Sequence, residues 1–181
     1  MRRLAAFALA ALLSLPALAA LKTGAAAPMF TAPAWLAGKQ IRFDLAQALK
    51  RGPVVLYFFP AAHTPGCNVE ASLFSQAIDK FKAQGATVIG ITAGNLDSLA
   101  KFSMETEHCS GKFAVAADEG AKIAKSFDAT LALKPNLSSR TSYVIAQDGR
   151  IAFVHDAMNP NLHVRETLRA VTELQANKPA K

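Results

Sequence analysis

The chain has 181 residues, with 20 Lys and Arg against 13 Asp and Glu, which gives a formal net charge of +7 at pH 7. This length suits one domain with a sizeable core. The basic side chains are scattered, without basic runs or interleaved aromatic residues, so we expect no nucleic-acid interface. The two cysteines and four histidines match no standard metal-binding spacing, and we expect no cofactor and no metal.

Residues 1–19 have the three parts of a secretory signal peptide. Arg2 and Arg3 precede a short apolar stretch, and Ala17-Leu18-Ala19 offers a cleavage site of small residues. The stretch is at the short end of the roughly 20 residues that a membrane span needs. We therefore predict cleavage after Ala19 and export to the periplasm, with an uncleaved anchor as the alternative. The mature domain is predicted over 20–176, followed by a frayed tail over 177–181.

The mature chain is predicted to open with a loop through Pro28 and Pro33. Residues 39–43 alternate as a short strand, and Asp44 can cap a small helix over 45–50.

Residues 54–59 are apolar at every position, which predicts a strand buried on both faces. Pro60 ends this strand, and from about Cys67 the apolar residues recur with a helical period. Cys67 then lies in the first helical turn, where unpaired N–H groups and the helix dipole favour an anion. We therefore predict a reactive thiolate, while a buried structural thiol is the alternative. The predicted apolar face of the helix contains Val69, Leu73, Ala77, Ile78 and Phe81, with Glu70 outside it.

The remaining elements alternate between strands and helices. A buried strand over 86–92 completes a strand–helix–strand unit, which implies parallel pairing. The other predicted elements are a helix from Leu96 to Thr106 capped by Asn95 with Leu99, Phe102 and Met104 inward, a strand over 113–116, a helix from Asp118 to Phe127, a loop over 129–139, a hairpin of strands over 141–146 and 151–155, and a closing helix from near Asn161.

Three segments resemble the peroxiredoxins. Pro60, Thr64 and Cys67 match the family's Pro-x-x-x-Thr-x-x-Cys pattern, and the fuller Thr-Pro-Gly-Cys with Glu70 is similar to the bacterioferritin-comigratory-protein or Q-type branch. Residues 21–30 are similar to the opening G-x-x-A-P-x-F segment. Residues 140–151 are similar to the R-x-x-F-V-I hairpin, with Tyr for Phe. The resemblance implies a thioredoxin-like α/β sandwich, in which a mixed central sheet carries helices on both faces, and a thiol-dependent peroxidase.

The resemblance also implies roles for single residues. Cys67 would attack hydrogen peroxide or an organic hydroperoxide and become a sulfenic acid, helped by the Thr64 hydroxyl and the Arg140 guanidinium. Pro60 would shape the loop and shield the sulfur. Glu70 either orients Arg140 or favours the helix start electrostatically. His63 stands where the family usually has a charged or polar residue, and is either a cation near the thiol or a solvent-facing loop histidine.

Recovery of a sulfenic acid requires a second thiol. In many Q-type members that cysteine lies five residues after the first, a position that Ser72 occupies here. The resemblance to other Q-type members implies that Cys109 resolves Cys67 as an intramolecular disulfide. A one-cysteine mechanism with an external thiol, and a buried Cys109 without a redox role, remain open. We expect a thioredoxin-like reductant and a monomer.

Two other functions fit parts of the sequence. His63 and His108 could join the two cysteines in a metal site of an exported metal-handling protein. Alternatively, the cysteines could form a permanent disulfide in a thioredoxin-like domain without peroxidase activity.

Overall fold

The computed structural model describes residues 20–177, so the predicted signal peptide and residues 178–181 of the predicted tail lie outside the described residues. The strands are β1 Thr31–Leu36, β2 Lys39–Asp44, β3 Val54–Phe58, β4 Thr87–Thr92, β5 Ala114–Ala117, β6 Thr130–Leu131, β7 Lys134–Ser138, β8 Thr141–Ile145 and β9 Ile151–Asp156. The α-helices are α1 Leu45–Leu49, α2 Pro65–Ala83, α3 Leu99–Met104, α4 Lys122–Ser126 and α5 His163–Ala176.

Within the described residues, seven strands form a mixed sheet in the order β2-β1-β5-β4-β3-β8-β9. β3 pairs in parallel with β4, as the predicted strand–helix–strand unit requires, and β4 pairs in parallel with β5. On its other side β3 pairs with β8 in antiparallel register, and β8 continues into the predicted hairpin with β9. The strand that leads to Cys67 therefore lies inside the sheet.

The sheet is covered on both faces, which confirms the predicted mixed sheet with helices on each side. Side chains along β3 alternate between two apolar cores, because successive residues of a strand point to opposite faces. Leu56 and Phe58 belong to the core that includes α1 and α4, whereas Tyr57 belongs to the core beneath α2, α3 and α5. No helix within residues 20–177 is both long enough and apolar enough to cross a membrane.

The predicted apolar face of α2 is correct at Ile78 and Phe81 and wrong in the first half of the helix. Val69 is 43% exposed, whereas Glu70 is completely buried. The helix buries Cys67, Glu70, Ala71, Phe74, Ser75, Ile78 and Phe81. A carboxylate can take a buried position only with a charged or hydrogen-bonding partner, and that partner is distant in sequence.

Two further predictions of local structure are wrong, and a third is correct only in part. The predicted N-terminal loop contains β1. Pro33 is tolerated in this strand because β1 pairs with β5 only at Ala34 and Trp35, so no N–H of residue 33 is needed on that side. The predicted loop over 129–139 contains the β6–β7 hairpin. The helix predicted from Leu96 is a 3₁₀ turn followed by the short α3. Leu99 and Phe102 are buried as predicted, whereas Met104 is 55% exposed.

Candidate active site

The link between β3 and α2 presents Cys67 at a helix start. α2 begins at Pro65, which suits the first helical position because a helix start needs no N–H there. The Thr64 hydroxyl donates to the Ala61 carbonyl oxygen over 3.0 Å, and Thr64 makes no side-chain cap for the helix. The N–H groups of Gly66 and Cys67 are therefore not capped by Thr64 and face the space in front of the helix.

Arg140 lies between β7 and β8 and reaches across to Cys67. Its Nη2 donates to the Cys67 Sγ over 3.4 Å, and its Nη1 donates to the Glu70 carboxylate. Its Nε donates to the Met158 carbonyl oxygen over 3.0 Å. Cys67 is 2% exposed and Arg140 is 4% exposed. The guanidinium is thus fixed by three contacts in different directions, one of them to the sulfur.

The structure places Glu70 as the partner of Arg140. Burial raises the pKa of the Glu70 carboxyl to about 8, while the charge and hydrogen bond of Arg140 oppose that rise. Burial disfavours the charged form of Arg140, but Glu70 and Cys67 outweigh it, so the pKa of Arg140 is raised. Because Cys67 and Glu70 are nearly one turn apart on α2, a single guanidinium can contact both.

A buried histidine beneath this pair was not found by sequence reasoning. The His163 Nε2 donates to the Ala157 carbonyl oxygen over 2.8 Å, so Nδ1 accepts from the Ser142 hydroxyl, also over 2.8 Å. Its Nδ1 lies 3.5 Å from the Glu70 Oε1. Burial lowers the pKa of His163 to about 4, which keeps the ring neutral at pH 7. No local pattern marks His163, because its partners lie on separate elements.

Glu70→Gln is expected to remove a pH dependence of stability. The folded-state pKa of Glu70 is about 8, above its usual 4.5, so the folded protein binds more protons than the unfolded chain between these values. The contribution of Glu70 to the free energy of unfolding therefore falls as pH rises through that window, by up to about 1.4 kcal/mol per pH unit. The lowered pKa of His163 gives a contribution of opposite sign between about pH 4 and its usual 6.5. Urea unfolding from pH 6.5 to pH 8, above the range in which His163 opposes it, measures this slope.

The Glu70→Gln variant should show a shallower slope than wild type, and the matched variant of the exposed Glu107, Glu107→Gln, should keep the wild-type slope. Equal slopes in wild type and Glu70→Gln would contradict the assignment.

The loop that carries Pro60 is anchored to the segment after β4. The Thr92 hydroxyl donates to the Pro60 carbonyl oxygen over 3.1 Å, and the Asn95 side-chain amide donates to the Ala62 carbonyl oxygen over 2.7 Å. A Cβ atom at Gly94 would lie 2.5 Å from the Pro60 carbonyl oxygen, so only glycine fits there. Asn95, predicted as a helix cap, stands at the start of the 3₁₀ turn but makes no side-chain cap, and its side chain instead holds the loop before Cys67.

The structure places His63 and Cys109 on separate segments. His63 adopts a φ of +59°, and its ring nitrogens face Glu105 and Ser98. Cys109 lies in the turn after α3, completely buried in the same apolar cluster as Cys67. Burial raises the pKa of the Cys109 thiol well above its usual range. Both cysteines are free thiols in this structure.

Comparisons with known proteins agree with this geometry. The AhpC/TSA family pattern matches residues 23–154. The chloroplastic peroxiredoxin Q of Oryza sativa subsp. japonica is 34% identical over 152 residues, which cover 83% of this chain and 67% of that protein. The chain belongs to the AhpC/TSA family. The chloroplastic peroxiredoxin Q of Sedum lineare is also 34% identical, over 70% of this chain and 67% of its own.

Solved peroxiredoxins share the fold. Peroxidoxin BcpB of Mycobacterium tuberculosis superposes with a TM-score of 0.75 at 27% identity, covering 88% of this chain and 99% of its own. AhpC of the same organism gives a TM-score of 0.75 at 17% identity, covering 90% of this chain and 97% of its own, and shows the fold alone. The predicted thioredoxin-like fold is confirmed.

The predicted activity is confirmed at the level of the enzyme class. This peroxiredoxin is a thiol-dependent peroxidase of the thioredoxin-dependent type. The comparisons do not favour the two rival functions, an exported metal-handling protein and a disulfide-bonded domain without peroxidase activity. Within residues 20–177, the grouped metal-ligating atoms belong to His63, Glu105 and His108, so the cysteines do not join the two histidines as the metal-handling hypothesis required.

Proposed function

We propose that Cys67 is the nucleophile of this peroxidase and that Arg140 stabilises the charge that develops during the reaction. The observation that supports this proposal is the Arg140 guanidinium, which is buried and lies 3.4 Å from the Cys67 Sγ. Arginine suits the role because its charge is permanent and its donors are held in a plane. Glu70 acts through Arg140 by fixing its orientation.

The reaction is an in-line displacement at oxygen. The Cys67 thiolate attacks the terminal peroxide oxygen, the O–O bond breaks, and its electron pair leaves with the second oxygen, which takes a proton to become water or an alcohol. The product at the protein is Cys67 sulfenic acid. The N–H groups of Gly66 and Cys67 and the Arg140 guanidinium would stabilise this charge. The Thr64 hydroxyl would join them by turning away from the Ala61 carbonyl oxygen, to which it donates in this structure. Pro60 shapes the loop that shields the sulfur.

Resolution uses Cys109 as the second thiol. Its sulfur attacks the Cys67 sulfenic acid, a disulfide forms, and water leaves. Support comes from the shared apolar cluster of the two cysteines. Because Cys109 is completely buried and its raised pKa keeps the thiol protonated, the turn after α3 has to open before the sulfurs meet. A thioredoxin-like reductant then restores both thiols.

Mass spectrometry after one equivalent of hydrogen peroxide tests the roles of both cysteines. We expect wild type to form a Cys67–Cys109 disulfide, with a loss of two hydrogens. Cys109→Ser should instead carry one or two added oxygens on Cys67, because no second thiol can remove the sulfenic acid. Unmodified Cys67 in both proteins would contradict the nucleophile. A sulfenic acid that persists in wild type would exclude Cys109 and favour an external thiol.

We also propose that the protein works in the periplasm as a monomer. The basic, apolar and small-residue parts of residues 1–19 support export. Mature protein that begins at Ala20 in the periplasmic fraction, with a monomeric mass by light scattering, would support this proposal. An intact leader or a cytoplasmic location would contradict it.

A further inference from the structure

Three side chains outside the reaction centre converge on one another. His63 comes from the catalytic loop, and Glu105 and His108 come from the turn after α3. The His63 Nε2 lies 2.7 Å and the His108 Nδ1 lies 3.0 Å from the same oxygen, Oε2 of Glu105. Their ligand atoms all lie within 4.8 Å of one another. The side chains are 30%, 23% and 11% exposed for His63, Glu105 and His108, so the cluster is half-buried but reachable from solvent.

Hydrogen bonds around His63 determine which of its ring nitrogens directs a lone pair at Glu105. The Ser98 hydroxyl donates to the Asn95 carbonyl oxygen over 2.8 Å, so its oxygen accepts from the His63 Nδ1–H over 3.1 Å. The Nε2 lone pair then faces a carboxylate oxygen at 2.7 Å, which is repulsive unless a cation lies between them. A metal-bound histidine is held in the same way, by a hydrogen bond from its second nitrogen.

Neighbouring contacts also orient the Glu105 and His108 side chains. The His108 ring stacks on Phe102 with centroids 4.8 Å apart, which fixes its plane. Lys101 approaches the other carboxylate oxygen, Oε1, at 3.5 Å and is 71% exposed, so Oε2 stays directed at the two imidazoles.

We propose that His63 Nε2, Glu105 Oε2 and His108 Nδ1 form a binding site for Zn²⁺, with water as the remaining ligand. Two imidazoles and one carboxylate are a donor set that binds Zn²⁺ with an open position. Two nitrogens among three donors make the set unsuited to Mg²⁺ and Ca²⁺, which prefer oxygen. Ligand atoms around tetrahedral zinc are about 3.3 Å apart, within the range that the three donors already span.

The site would join two segments that the reaction uses. His63 lies in the loop that leads to Cys67, and His108 immediately precedes Cys109. A bound Zn²⁺ would hold the turn after α3 against the catalytic loop. The clamp would oppose the opening that brings Cys109 to Cys67. If the proposed role of Cys109 holds, Zn²⁺ would therefore slow disulfide formation.

Zn²⁺ competition against a chromophoric chelator tests the site in full-length protein that carries both Cys67→Ser and Cys109→Ser, so that no thiol can bind the metal. We expect one equivalent bound per chain. His63→Ala, His108→Ala and Glu105→Gln in this background should each weaken binding at least about 10-fold. Two matched controls, His155→Ala and Glu107→Gln, should bind as tightly as the parent, and circular dichroism checks that every variant folds.

Hydrogen exchange of the backbone over 105–111 tests the clamp. Zn²⁺ should slow exchange in the thiol-free parent and leave it unchanged in His63→Ala. No binding by the thiol-free protein, or equal binding by the histidine variants, would overturn the site. Binding without protection would overturn the clamp. Since both cysteines are absent from this protein, neither failure affects the peroxidase proposal, which the mass-spectrometry experiment tests separately.

Discussion

Cys67→Ser is expected to reduce hydrogen peroxide at least about 1,000-fold more slowly than wild type. A serine hydroxyl is not ionised near neutral pH, and it cannot accept an oxygen atom and return it to a reductant. The initial rate of thiol-dependent peroxide consumption measures this loss. Stopped-flow mixing with one equivalent of peroxide separates the first chemical step from reduction by the external thiol.

The same variant distinguishes catalysis from a structural role. Serine is close to cysteine in size, and its oxygen can accept the hydrogen bond from Arg140, so the free energy of unfolding should change by no more than about 1 kcal/mol. Cys109→Ser is the matched control, because it removes the other thiol and should keep the first step at the wild-type rate. An active Cys67→Ser protein would contradict the proposal, and an unfolded one would support a purely structural role for Cys67.

Arg140→Met is expected to lower the rate of the first step by about 100-fold to 1,000-fold. The substitution removes the positive charge beside the sulfur and the donor on Sγ, while methionine fills much of the same space. Stopped-flow measurement over a series of peroxide concentrations gives this rate directly. The buried Glu70 would lose its partner, so the measurement is made at pH 6, where its raised pKa favours the neutral carboxyl.

Arg140→Lys separates charge from geometry. Lysine keeps the positive charge but cannot contact Met158, Glu70 and Cys67 together as the planar guanidinium does, so its rate should fall between those of wild type and Arg140→Met. Arg165→Met, which changes an exposed arginine of α5, is the matched control and should react as wild type does. A folded Arg140→Met protein with an unchanged first step would remove Arg140 from the mechanism.

Local sequence patterns predicted the parts of the fold that depend on local interactions. The strand β3 is apolar at every position because both faces are covered, and β3, α2 and β4 follow one another closely enough for parallel pairing to be inferred. By contrast, β1 contains Pro33 and pairs with β5 through only two residues, which leaves a weak signal in the sequence. The two-residue strand β6 is too short to show an alternating pattern.

In the candidate site, only the residues that belong to a recognisable motif could be predicted from the sequence. The resemblance to peroxiredoxins identified Cys67 and Arg140, and the structure brings them together. The periodicity of α2 placed Glu70 on the polar side, because periodicity cannot anticipate an ion pair made 70 positions away. His163 is similar, since its buried position depends on β8, α2 and the residues before α5 rather than on its neighbours in the chain.

The contact between Arg140 and Cys67 spans 73 positions of the chain. The two residues approach each other only once β8 has paired with β3, so a nascent or unfolded polypeptide carries an ordinary thiol at this position. Oxidant sensitivity would thus arise together with the completed tertiary structure. During refolding, the time at which rapid reaction with peroxide begins would therefore report when β8 pairs with β3.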